Sequence, residues 1–514
     1  MITGQSANGG AIGATRKERS WVALLCAAAA LRVFIYCAAF PVFCNVDEIF
    51  HYALVTEYSH GQPPRRGELL LAEAAHAIAY QGTPEYAKAP DAYATGRFPQ
   101  PPWTLPTAEA RDAASGIYAA RWGQKPNHEA SQAPLYYWVA GAWLALGRMW
   151  ISGEGMLPYW VRFLNVFVAA ALVWLAYVAA RMIFPERGWL RIGAPAMMAF
   201  FPQAALYTIQ SDVLSPLCFG LAFVGMAKLF RDEAPGRWIA SMTGLALAAT
   251  CLVKVSNAPL LLPALTGMGW IAARRAKGGK LRSAWPAFAL FAVIALAPVV
   301  LWMAWNRYVY GDLTGSNQKM AILGWTRKPF GEWWNHPIFT ARGFGTFISE
   351  LLSSFWRGEL VWWGRTLRWP GVDALYWMSS VALIGLGAAS LLRGGGEMEP
   401  WRRRTLWLGF WSFVILVGFL GLISTMFDFG PCVNPSREHP YFTSGRLLSP
   451  VMIPFLLLYL RGMDWAFGRV KWRRAAPGVL AVLITVITAS EIVINLPPFS
   501  SQYNLIHRLA RGDQ

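Results

Sequence analysis

The segment "CNVDEIFHY", residues 44–52, carries two adjacent carboxylates, Asp47 and Glu48, and a histidine, His51, directly after a long apolar run. On a helix starting here, Asp47 and His51 share a face, as do Glu48 and Tyr52. Two carboxylates held together near a low-dielectric wall repel each other, which raises the pKa of one of them. Such a group accepts a proton from a hydroxyl as a general base. The ordinary alternative is a helix N-cap, with Asp47 accepting from free backbone N–H groups. A cap leaves the second acid and His51 unexplained.

A second stretch, "PNHEASQAPLYYW" (126–138), offers His128 and Glu129. Together with Asp47, Glu48 and His51 it supplies donors for a divalent cation: imidazole with carboxylate suits Zn or Mn, and carboxylate also suits Mg. Charged residues recur at the ends of apolar runs: Arg162, Asp212 in "YTIQSDVLSP", Lys254 in "ATCLVKVSN" and Arg446 after "PYFTSG". One such cation is explained by snorkelling to the interface. Several at one depth point to an anion site, with phosphate as the natural guest. His51, His128, Glu129, Asp212 and Tyr441 are the expected neighbours of substrate or metal. Between 306 and 370 lie Trp325, Trp333, Trp334, Trp356, Trp362, Trp363 and Trp369. They read as an interfacial aromatic belt, or as flat faces for a sugar ring. Arg32 and Glu491 sit inside apolar runs and must face protein or a wet cavity; the sequence does not pair them. The six cysteines show no CxxC spacing, which leaves a Cys44–Cys432 disulfide open.

The elements that hold these residues are set by hydropathy. The chain of 514 residues is 55% hydrophobic and 14% charged, with mean hydropathy +0.33, too apolar for a soluble protein. Apolar runs long enough to span a bilayer fall at about 21–43, 160–183, 190–208, 212–230, 238–254, 256–273, 284–305, 371–392, 405–427, 446–461 and 475–496. The net charge of +18 resides in short loops between runs, as expected for cytoplasmic loops, so topology and anionic lipid account for it without nucleic acid. The run 133–150 decides the topology. If it crosses, the later basic loops at 181–191, 274–282 and 402–404 invert relative to Arg16, Lys17 and Arg19. If it lies along the outer interface or is re-entrant, every basic loop falls on the cytoplasmic side. The expectation is an all-α polytopic membrane protein with about eleven spans, N-terminus in and C-terminus out, plus interfacial helices in the first outer loop. The basic flank before the first span resembles a signal peptide, but the apolar stretch is too long and no small-residue cleavage site follows, so an uncleaved span is expected. The organisation expected is a cytoplasmic tail, 1–20; a transmembrane module, 21–305, with the outer loop 44–159; a Trp-rich outer loop, 306–370; and C-terminal helices, 371–514, with the outer loop 428–445.

The pieces "VDEIFHYALVTEYSHG", "EASQAPLYYW", "VRFLNVF", "SDVLSP", "LVKVSN", "WNRYVYGD", "SSFW" and "SGRLLSPVMIPF" resemble, in this order, the GT-C superfamily of membrane glycosyltransferases. That group includes the protein O-mannosyltransferases and the aminoarabinose transferases of lipid A; the likeness is nearest to a bacterial GT-C-like family that is largely uncharacterised. The chain departs from the family pattern at Val46, where Pro is usual, and at Gln132-Ala133-Pro134, where His-Pro-Pro is usual. The resemblance implies a GT-C fold and an inverting hexosyl- or pentosyltransferase. Its donor would be a polyprenyl-phosphate-linked sugar, and its acceptor a hydroxyl of a lipid, glycan or protein. It further implies a bacterial inner membrane with the site on the periplasmic or extracellular face, Asp47 with Glu48 as the catalytic acids, Lys254 and Arg446 on the lipid phosphate, and Arg162 at the rim. The physics of the residues agrees: a base for the hydroxyl and cations for the departing phosphate. No P-loop or dinucleotide motif accompanies them. A flippase of lipid-linked sugars, without catalysis, is the competing class; the internal repeats common in transporters are missing from the sequence.

Overall fold

The computed structural model describes residues 15–86, 98–151, 153–232, 236–393 and 398–511; most of the expected tail lies outside them. In chain order the main helices are α1 (Arg16–Ala39), α2 (Glu48–Ser59), α3 (Ala72–Gln81), α4 (Ala108–Gly123), α5 (Leu135–Arg148), α6 (Leu157–Ile183), α7 (Gly188–Ala199), α8 (Ser215–Asp232), α9 (Arg237–Val253), α10 (Leu261–Lys277), α11 (Leu281–Tyr310), α12 (Ser316–Leu323), α13 (Ala341–Arg357), α14 (Pro370–Arg393), α15 (Pro400–Met426), α16 (Met452–Arg469) and α17 (Ala476–Ile494). Two short antiparallel pairs, Thr326–Arg327 with Phe427–Asp428 and Val361–Trp362 with Arg365–Thr366, tie the loops at one end.

Among the described residues, eight helices are long and apolar enough to cross a membrane: α1, α6, α8, α11, α14, α15, α16 and α17 with their adjoining turns. The other three expected spans are shorter. The stretch 190–208 is the 12-residue α7 followed by a 3-10 turn at Ala204–Tyr207. The runs 238–254 and 256–273 become α9 and α10, each of 17 residues, interrupted at Lys254, whose backbone is extended. At 1.5 Å per residue the 12-residue α7 is shorter than a hydrocarbon core of about 30 Å, while the 17 residues of α9 and of α10 stand at the short end of the range that spans one. The 14-residue α5 is shorter still. It packs on α2, where Gly141 permits the approach: a Cβ there would lie 2.9 Å from the Ser59 backbone nitrogen.

The bundle is built around α16, all of whose span window is buried, whereas α11 and α17 are peripheral, with 28% and 22% of theirs buried. Contact between α14 and α16 rests on paired glycines, Gly387 and Gly462, whose added Cβ atoms would strike the Leu458 and Leu383 carbonyl oxygens, the small-residue packing of membrane helices. Arg32 on α1 meets Glu491 on α17 at 2.5 Å, and also donates to the Ala199 and Phe201 carbonyls. The two charges that the sequence left unpaired thus neutralise each other in the interior. Pairs Glu18–Arg191 and Glu186–Arg402 gather at the opposite end from the α1–α2 junction, where the basic loops also lie.

Three breaks in helical structure converge near that junction: the 3-10 turn Ser211–Val213, the break at Lys254 and the 3-10 turn Gly445–Val451. Irregular backbone within a membrane protein is tolerated where protein or a water-filled cavity surrounds it. Each break carries a charged residue: Asp212, Lys254 and Arg446.

Candidate functional site

The turn between α1 and α2 presents Asp47. Its backbone is left-handed, φ 64° and ψ −1°, and its side chain makes no capping bond. For a residue with a Cβ this conformation costs on the order of 1–2 kcal/mol, and Asp is among those that tolerate it. The cap reading is therefore set aside: Asp47 occupies the N-cap position but turns its carboxylate elsewhere. Oδ2 accepts from Arg446 Nη2 at 2.6 Å, and Oδ1 lies 3.3 Å from His128 Nε2. Arg446 Nη1 also grips the Val46 carbonyl and Gln210 Oε1, each at 3.0 Å, which holds the strained turn in place.

Arg446 reaches this position because Gly445 has no side chain. A Cβ there would sit 2.0 Å from the Phe355 backbone nitrogen, and the Gly445 N–H donates to Ser354 Oγ. The "SSFW" and "SGRLLSP" stretches thus lock together. Ser449 Oγ donates to the Asp212 carbonyl, and Lys254 Nζ meets Asp212 Oδ2 at 2.6 Å. Gln203 donates to the Ser354 and Phe355 carbonyls, and Asn45 donates to Thr208. The segment 203–213 is consequently a floor beneath the charges.

The structure brings together Asp47, His128, Glu129 and Arg446, with the Asp212–Lys254 pair alongside. Two further charges that the sequence did not single out complete the cluster. Lys319 on α12 bonds Glu129, and Glu359 accepts from Ser444 and faces Arg446 Nε at 3.4 Å. Neither lies in a recognisable pattern: Lys319 is on a short helix within the Trp-rich segment, and Glu359 is in the turn after α13. Gln132, where the resembled family has His, donates to Glu129.

Four expected site residues, Glu48, Arg162, His51 and Tyr441, face elsewhere. Glu48 and Arg162 form a fully buried, two-point ion pair with each other, 2.8 Å at both contacts. Arg162 also donates to the Cys37, Phe40 and Pro41 carbonyls, satisfying the free carbonyls at the C-terminal end of α1. Glu48 additionally accepts the Ile209 N–H. Arg162 is therefore an interior cap and not a rim residue, and Glu48 is not paired with Asp47. His51 bonds Tyr137 through Nδ1 at 2.7 Å. Tyr441 packs on His336 and His439. Trp356 is core, stacked between Phe201 and Tyr376 with its N–H on Ser380. All six cysteines, including Cys44 and Cys432, are free.

The electrostatics also differ from the repelling acid pair expected. Burial works to raise the Asp47 pKa, but the hydrogen bond from His128 and the charges of Arg446 and Lys319 hold it well below the usual carboxylate range. Burial is likewise overcome at Glu129, chiefly by Lys319, which brings it to about 2. Glu359 is the carboxylate whose pKa is raised, by burial, against Arg446 and Ser444. Burial pushes His51 down to about 4, so it is neutral near pH 7.

As a metal site, Asp47, His128 and Glu129 offer ligand atoms within 4.8 Å of one another. The donors fit Zn or Mn, but Arg446 and Lys319 already neutralise the two carboxylates. Glu48 and His51 point to other partners and do not join this set. A separate cleft of about 430 Å³, lined among others by Lys328, His336, Asp428 and Arg437, opens between the loops and includes none of these cluster residues.

Fold and site together define a multi-pass, all-α membrane protein with a compensated charge cluster at the end of its first span. The chain belongs to the family described as predicted membrane protein (DUF2142), which matches residues 31–429. No curated protein matches it.

Proposed function

We propose that this protein is a membrane glycosyltransferase of GT-C type. It would move a sugar from a polyprenyl-phosphate donor to a hydroxyl of a lipid, glycan or protein, on the periplasmic or extracellular face of a bacterial inner membrane. The observation that carries the reading is the meeting of Asp47 Oδ2 with Arg446 Nη2 at 2.6 Å: a carboxylate beside a cation at the end of a span, where a lipid-anchored phosphate has to stop. The acceptor hydroxyl gives its proton to Asp47, its oxygen bonds the anomeric carbon from the opposite face, and the carbon–oxygen bond to phosphate breaks. The electron pair of that bond leaves on the phosphate, whose added charge Arg446 and Lys254 stabilise in a water-poor site. Holding both substrates at the interface supplies orientation.

The test uses purified protein in lipid with a labelled polyprenyl-phosphate sugar and an acceptor extract. The reading expects label on a new hydroxyl and free polyprenyl phosphate. Intact donor moved across the bilayer without cleavage would support the flippase instead.

A further inference from the structure

Asp47 and Arg446 obstruct each other in the roles of base and phosphate binder. A base needs an open oxygen, yet both Asp47 oxygens face donors, Arg446 Nη2 at 2.6 Å and His128 Nε2 at 3.3 Å. A phosphate binder needs open N–H groups. Arg446 has Nη1 on Val46 and Gln210 and Nη2 on Asp47, while its buried Nε lies 3.4 Å from Glu359 without a hydrogen-bond partner among the described residues. The Asp47 side chain is 22% exposed and can be reached from outside, while Arg446 is 10% exposed.

Resting on the glycosyltransferase reading, we propose that the phosphate of the lipid-linked donor takes Arg446 Nη2 from Asp47, so that donor binding completes the phosphate site and releases the base in one exchange. The guanidinium need not travel. Gln210 and the Val46 carbonyl hold Nη1, and the charge of Glu359, 3.4 Å from Nε, attracts that side without a hydrogen bond, which makes Glu359 a positioning residue. Only the partner of Nη2 changes, from a carboxylate to a phosphate oxygen, and both accept charge-assisted hydrogen bonds of similar geometry. The freed Oδ2 then faces the acceptor. Before the donor arrives, Asp47 is neutralised and cannot serve as an effective base, so water is not activated at the site; the productive order is donor first, acceptor second.

The exchange makes Asp47 a competitor of the ligand, and this can be measured without catalysis. The probe is sugar-free polyprenyl phosphate titrated into the full chain in nanodiscs. Asp47→Asn should bind it more tightly than wild type, by roughly tenfold, since a hydrogen bond to a charged group is released for the ligand. In an Arg446→Gln background the same Asn substitution should change affinity by less than about twofold, because the coupled partner is gone. If Arg446→Gln does not fold, Arg446→Lys replaces it: a single nitrogen cannot occupy the positions of both Nη1 and Nη2, so the contact to Asp47 weakens and the gain should shrink. Glu359→Gln should raise the donor KM more than it lowers kcat, and Glu359→Asp should recover less than wild-type KM. Unchanged or weaker binding by Asp47→Asn, with wild type binding the probe, overturns the exchange and leaves the proposed activity standing. Failure of every variant to bind polyprenyl phosphate overturns the activity itself.

Discussion

Glu48 and Arg162 meet inside the protein as a two-point ion pair with side-chain exposures of 1% and 0%, although they are separated by 114 residues in the chain. The pair ties the start of α2 to the start of α6 and closes the end of α1 through three carbonyls. Glu48→Gln should therefore act on folding. Stranding a buried cation costs about 3–5 kcal/mol, visible as a lowered thermal midpoint in detergent. Adding Arg162→Met should restore part of that loss, since the charge is removed along with its partner. A Glu48→Gln protein of wild-type midpoint would rule out this role.

Glu57 on α2 gives a pH dependence. Its carboxyl is buried, with Oε2 lacking a partner among the described residues, and burial, aided by Glu68, pushes its pKa from 4.5 up to about 8. The folded state thus holds a proton that the unfolded chain releases above its ordinary carboxyl pKa. Where the folded state binds more protons, stability falls as pH rises. This group's stabilisation is complete below about pH 4.5, declines from there to about 8, and is then lost. Glu57→Gln should melt close to wild type at pH 5 and above it at pH 8. Parallel melting curves across that range would refute the assignment.

Lys319 gives a prediction about metal. It neutralises Glu129 and so competes with any cation for Asp47, His128 and Glu129. Lys319→Ala should bind Zn or Mn more tightly than wild type in calorimetric titration, because a buried carboxylate left without a counter-charge seeks one. Equal affinities would show that the trio is not a cation site held shut by lysine.

The long apolar spans are legible in the sequence because hydropathy and length report membrane crossing directly. Charge argues that 133–150 does not cross, since a crossing there inverts the basic loops; the helix there, α5, has 14 residues. Hydropathy did not show the shortness of α7, α9 and α10. Their apolar runs continue through Pro202, which ends a helix locally, and through Lys254, whose extended backbone accompanies its pairing with Asp212. Asp47, Lys254 and Arg446 could be named from residue type and position at span ends, and His128 and Glu129 as ligand types in the first outer loop. Their pairing could not, because Asp47 and Arg446 stand 399 residues apart and no local pattern links them. Lys319, on the short helix α12, and Glu359, in the turn after α13, lie in stretches without hydrophobic periodicity. The left-handed turn at Asp47 separates two neighbouring carboxylates, which adjacency alone would have kept together.

Whether Asp47 is the base of a sugar transfer is decided by the single-turnover rate of Asp47→Asn against wild type, in lipid, with saturating polyprenyl-phosphate sugar. Asn keeps the size of the side chain and removes its basicity. General-base assistance typically contributes about 100- to 10,000-fold. A general base at Asp47 requires a loss of that order, with donor binding retained or tightened; transfer by Asp47→Asn at the wild-type rate would mean that Asp47 is not the base.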